Sequence, residues 1–125
     1  MSKPLQWTFN YEMTAGETFD ESITYLVDGI LVPMIGTEGR WQIRSQDDIS
    51  PTVAGTPLWS ADSTNNPTRI VLDDEAPNIR LIIPDDFTED FAPGNYVHEF
   101  EREAVDGRVT KVFRGLFVVR AEITR

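Results

Sequence analysis

Gly94-Asn95-Tyr96-Val97-His98-Glu99-Phe100-Glu101-Arg102-Glu103-Ala104, then Asp106-Gly107, then Arg108–Thr124, reads as two long strands joined by a tight turn. Tyr96, His98 and Phe100 share one parity; Val97, Glu99, Glu101 and Glu103 share the other. A period of two is the mark of a strand with one covered face and one wet face. Asp-Gly between two such runs is a strong hairpin signal, because both residues tolerate positive φ. Beyond the turn, Phe117, Val119, Ala121 and Ile123 hold one parity, while Val112 holds the opposite one. Gly115 stands between the two registers, and a bulge or bend is expected there.

The same grammar runs back through the chain. Leu5–Met13 reads as a strand with Leu5, Trp7, Phe9 and Tyr11 on one face. Phe19–Val27 follows, with Phe19, Ile23, Tyr25 and Val27 inward, then a turn at Asp28-Gly29 and a short extension Ile30–Val32. Arg40–Ser45 places Trp41 and Ile43 inward and Gln42 and Arg44 outward. Arg69–Leu72 and Asn78–Ile83 are two more strands, the second alternating at Ile79, Leu81 and Ile83. Asp85–Phe91 fits one helical turn that brings Phe87 and Phe91 to one face. Residues 46–68 carry Pro51, Gly55, Pro57 and Pro67 around a polar run. They read as a long irregular loop with room for one short strand near Leu58-Trp59, and a loop of that length suggests a surface or interface role.

About seven strands, turns at roughly ten-residue intervals and no sustained helical repeat give an all-β fold, an antiparallel β-sandwich. Gly94-Asn95-Tyr96 sharpens this to an immunoglobulin-like sandwich. In that architecture a Tyr near the start of the penultimate strand ties back the preceding corner through its hydroxyl, and His98 stands where antibody domains carry a Cys. The 125 residues fit one domain, 1–125.

Composition narrows the function classes. The absence of cysteine excludes disulfide frameworks, zinc–cysteine centres and thiol nucleophiles. With 11 basic and 21 acidic residues, a net charge of −10, binding to nucleic acid or to an anionic membrane is disfavoured. No apolar run approaches the ~20 residues of a helical span, and no signal-type stretch opens the chain. One histidine cannot build a multi-histidine metal site; His98 is expected to be a buried, hydrogen-bonded imidazole. The acidic clusters Asp47-Asp48, Asp73-Asp74-Glu75 and Asp85-Asp86 with Glu89-Asp90 lack the spacing of a helical calcium loop and read as solvated turns, with calcium held between separate loops as the alternative. No phosphate loop or nucleophile elbow is present, so no catalytic residue, no cofactor and no metal is expected. Trp7 and Trp41 have core parity. Trp59, in the irregular segment beside Leu58, is the aromatic expected to be partly exposed; it reads equally as an interface anchor or a plug of the domain, and Leu58 and Trp59 are the candidate interface residues.

Across Ala92-Pro93-Gly94-Asn95-Tyr96, Asp106-Gly107-Arg108-Val109, Gly115-Leu116-Phe117-Val118-Val119 and Glu122-Ile123-Thr124-Arg125, the chain resembles small virion-associated proteins of tailed bacteriophages. Gly39-Arg40-Trp41-Gln42-Ile43-Arg44 is similar to their central strand, and Ala15-Gly16-Glu17-Thr18-Phe19 to their opening. A related arrangement is the immunoglobulin-like N-terminal domain of phage baseplate upper proteins. The resemblance implies a non-enzymatic virion component in the neck, tail, baseplate or fibre-attachment region, made in the bacterial host cytoplasm. Its partners would be other phage structural proteins and further copies of itself in a symmetric assembly. A capsid decoration protein and a carbohydrate-binding attachment module are the alternatives.

Overall fold

The computed structural model describes residues 7–45 and 59–121, the side chain of Trp7 excepted. Leu5, the segment 46–58 with Leu58, and the last four residues lie outside the described residues. The described strand segments are β1 Trp7–Thr8, β2 Tyr11–Thr14, β3 Phe19–Ile23, β4 Leu26–Val27, β5 Ile30–Leu31, β6 Glu38–Ser45, β7 Trp59–Asp62, β8 Ile70–Leu72, β9 Ile79–Ile83, β10 Gly94–Glu103 and β11 Val109–Arg120. Among the described residues the one helical turn, α1, is Asp85–Thr88.

β10 and β11 form the hairpin that their alternation requires. Its turn closes through the Gly107 amide on the Ala104 carbonyl, with Gly107 at φ 89°, a conformation a Cβ would strain. β10 also pairs antiparallel with β6, and β6 with β7. The order along this sheet is β1-β11-β10-β6-β7, with β2 also on β11. The second sheet is β3-β9-β8, antiparallel throughout. Phe19 of β3 stacks on Trp41 of β6 at 5.8 Å and meets Phe117 of β11 at 5.2 Å, so the two sheets share one core. The chain is an immunoglobulin-like β-sandwich. The first sheet has the C, F and G strands with an added C′, the second has B, E and D, and a buried Trp sits on strand C.

Several expected details are corrected. The N-terminal strand is not continuous and not antiparallel: β1 and β2 both run parallel to β11, broken at Phe9-Asn10. Parity shows which face a strand buries but not which neighbour it pairs with. The phase change in β11 falls at Val112, which is the extra residue between the pairs Phe100↔Phe113 and Glu101↔Lys111, so Val112 and Phe113 are both buried. Gly115 is no bulge; it pairs directly with His98. The second strand stops at Ile23, and Val27 projects from a separate β4–β5 hairpin instead of entering the core.

Candidate functional site

Trp41 and His98 lie on neighbouring strands with their side chains in the core, and both are buried, His98 at 2% exposure. The Trp41 indole N–H donates to Nδ1 of His98 at 3.0 Å. Nδ1 must therefore be the acceptor nitrogen, which leaves the proton on Nε2, 2.7 Å from the Phe9 carbonyl oxygen. Reaching Phe9 requires crossing β11, and Gly115 makes that possible. A Cβ at Gly115 would fall 1.9 Å from the Phe9 oxygen. Its missing side chain lets the N-terminal strand come close, and the Asn10 side chain accepts from the Leu116 amide at 2.9 Å beside it. Burial pushes the His98 imidazole below its ordinary value, with the Phe9 hydrogen bond opposing in part. Rings of Tyr11, Phe113 and Phe117 complete the surround. Burial, reinforced by the Glu21 carboxylate, pushes the Tyr11 hydroxyl up to about 12. The expected buried, hydrogen-bonded histidine is what the fold contains.

Tyr96 also behaves as its position suggests. Its hydroxyl donates to the Ala92 carbonyl at 2.6 Å, tying β10 to the corner before it.

The expected exposure of Trp59 is overturned. It opens β7, its backbone paired with Ile43, and is only 7% exposed. Trp41, Phe87 and Phe91 surround its ring at 6.5, 5.6 and 6.4 Å, and the Arg69 guanidinium sits over it at 5.5 Å. The helical turn expected over Asp85–Phe91 stops at Thr88, so Phe91 lies beyond it; Phe87 from α1 and Phe91 from the following turn both close over the Trp59 ring. Leu58 lies outside the described residues. A tryptophan covered in this way offers neither a docking knob nor a sugar-stacking surface; Phe87, at 42%, is the exposed ring of that corner.

Two structural polar residues carry no signal in sequence pattern. Asn78, fully buried, accepts from the Tyr25 amide at 2.7 Å and donates to the carbonyls of Tyr25 at 3.1 Å and Val32 at 2.8 Å. Thr88 donates to the Glu17 carbonyl at 2.7 Å and accepts from the Gly16 amide at 3.2 Å, fastening α1 to the turn before β3. An Asn before a strand and a Thr ending a helical turn are too common to single out.

On the outer face of the larger sheet, Arg40 meets Glu38, Glu101 and Glu103 at 3.0, 2.7 and 3.3 Å, and Lys111 meets Glu99 and Glu101 at 2.5 and 2.8 Å. This network spans β6, β10 and β11. Among the described residues, no three acidic or histidine side chains gather as a metal-binding group, and no helix is long and apolar enough to cross a membrane.

No protein-family model matches the chain, and no curated protein matches it significantly. Among solved structures, it is similar to murine CRIg at 16% identity, covering 98% of this chain and 100% of that one, with a TM-score of 0.41. It is also similar to Drosophila OTK extracellular domains 3–5 at 17% identity, covering 97% of this chain and 34% of that one, with a TM-score of 0.35.

Proposed function

We propose that the chain is a non-enzymatic structural module of a tailed bacteriophage virion, placed in the neck, tail, baseplate or fibre-attachment region. The sequence resemblance supports the virion setting. The observation that carries the non-enzymatic reading is the use of His98: the chain's one imidazole spends both nitrogens inside the fold, on Trp41 and Phe9. Asn78 and Thr88, the other buried polar side chains among the described residues, are likewise committed to backbone groups. A general base must reach a substrate proton, and a buried imidazole bonded on both sides does not. Such a module acts by holding neighbours in place, and its partners are other structural proteins of the particle.

Quantitative mass spectrometry of density-purified particles tests this reading. The chain should co-purify with the major structural proteins at a fixed copy number set by the symmetry of its layer. Recovery only in the unassembled soluble fraction would refute it. Cryo-electron microscopy of the same particles separates the neck or tail from a capsid decoration site.

A further inference from the structure

The exposed apolar side chains of the described residues are not scattered. Leu26, Val27, Ile30, Ile35, Val71, Val105 and Val109 lie on the hairpin, turns and strand ends of one end of the sandwich, while Phe87 alone stands at the other. The registers place them there. Glu38 pairs with Glu103, and Glu103 with Val109, so the connection before β6 and the β10–β11 turn leave from one rung. In the other sheet, Ile23 and Leu72 both pair with Ile79, and the groove shared by Gly36, Thr37, Val71 and Leu72, with the Ile35–Asp74 hydrogen bond, sets that end of the sheet beside the start of β6. Exposures of 71% for Ile30 and 85% for Val105 are costly for side chains that have a core available.

These side chains stand on rigid mounts. The β4–β5 hairpin is clamped at both feet by Asn78, which holds Tyr25 on one side and Val32 on the other. The Ile35 amide donates to the Asp74 carboxylate at 2.9 Å, tying the hairpin's exit to the turn after β8. Beside it runs an open groove of about 370 Å³, with Met34, Ile35, Pro67, Val71 and Leu72 among its walls. Little freedom is left for these loops to lose when something docks.

The rim selects the occupant. Asp28, Asp73, Asp74 and Glu75 are exposed around these side chains and have no cation partner among the described residues. Of the cations at this end, Arg108 is engaged with Asp106 at 3.3 Å and Arg102, half-buried, lies beside Tyr25. A second copy would bring the same acidic rim, and a further net −10, against this one. Building on the module reading above, we infer that this end is a protein-docking surface whose partner presents an apolar ridge or groove bordered by Lys and Arg.

The test uses the whole chain and three defined helical peptides of equal length, built from Leu and Lys, Leu and Glu, or Ser and Lys. By fluorescence anisotropy the Leu/Lys peptide should bind, more weakly as salt rises, and each of the other two at least about tenfold more weakly. The double variant Ile30→Ser/Val105→Ser, which should melt like the parent because both side chains are exposed, should lose at least about tenfold in Leu/Lys affinity. Phe87→Ser, at the far end, should leave binding unchanged. Equal binding of Ser/Lys, or indifference to the double variant, would overturn the proposal. So would self-association through this end in sedimentation, or co-sedimentation with phosphatidylcholine vesicles in place of peptide binding. The particle assay above uses the unmodified chain and no peptide, so either result can fail while the other stands.

Discussion

Trp41 and Trp59 are 6.5 Å apart, ring to ring, on paired strands of one sheet, yet they are held in different ways. Trp41 is central: Phe19 covers it from the opposite sheet, and its N–H is satisfied by His98. Trp59 is on the edge strand. Its cover comes from Phe87 of α1, Phe91 and the guanidinium of Arg69, and its N–H is buried without an acceptor among the described residues. Burial alone therefore does not rank two aromatic anchors. The one that shares its polar atom with the rest of the core should carry more of the stability.

The largest expected effect is at the central position. Trp41→Ala removes a fully buried indole and leaves His98 Nδ1 without its donor, and should cost about 3–5 kcal/mol or more in denaturant unfolding. An unchanged midpoint would mean that the β6 register is wrong.

Gly115→Ala probes the third member of the centre. The added methyl meets a backbone oxygen, so β1 and β2 must draw away from β11. A cost of about 1–3 kcal/mol is expected. Hydrogen exchange should locate it: the Phe9 amide, bonded to the Arg114 carbonyl at 3.0 Å, should lose protection before the β10–β11 pairs do.

These two positions also show how far the sequence could be read. Trp41, Tyr96 and His98 were legible because parity within one strand, and spacing along it, decide which face is buried. Gly115 stands out in the sequence as a bend, but its role depends on a carbonyl more than a hundred residues upstream, brought close by a parallel pairing that no local pattern encodes. The burial of Trp59 is hidden in the same way. Its lid, Phe87 and Phe91, reads as a pair, but nothing in the spacing says what that pair covers. The exposed end was invisible because Val27 and Ile30 have the composition of core residues, and only the early stop of β3 turns them outward.

Acid should act on Trp41's surroundings through His98. The folded imidazole titrates below the unfolded one, whose ordinary value is about 6.5, so the unfolded chain binds the extra proton. This contribution is fully present above pH 6.5 and is lost as pH falls from there toward the folded value. The slope is at most about 1.4 kcal/mol per pH unit for one proton. Lowered carboxylates act at lower pH. Asp20 is held down by Arg80 and Asp62 by the Asn65 amide; at Glu101, burial raises the group but Lys111 and Arg40 more than offset it. Stability measured between about pH 6.5 and 4.5 should fall with acid, and His98→Gln should flatten that window while leaving the steeper loss below it. A slope unaltered by His98→Gln would assign it elsewhere.

The smallest effect should be at Trp59→Phe, and the comparison depends on it most sharply. The same change at Trp41 breaks a 3.0 Å hydrogen bond and strands an acceptor in the core, a loss of about 1–3 kcal/mol on top of the lost volume. At Trp59 the change removes a donor that has no acceptor, so no bond is lost and one buried polar group disappears. The lost volume is also easier to recover there. Phe87 is half exposed, with the Arg69 guanidinium 4.6 Å from its ring, so this wall can settle inward, whereas Trp41 is held by rings from both sheets. Trp59→Phe should therefore cost about 1 kcal/mol or less, because the price of a smaller ring depends on how far its walls can collapse. Equal losses from Trp41→Phe and Trp59→Phe, in the same denaturant series, would show that the indole N–H at position 59 is satisfied after all and that the two tryptophans anchor the sheet alike.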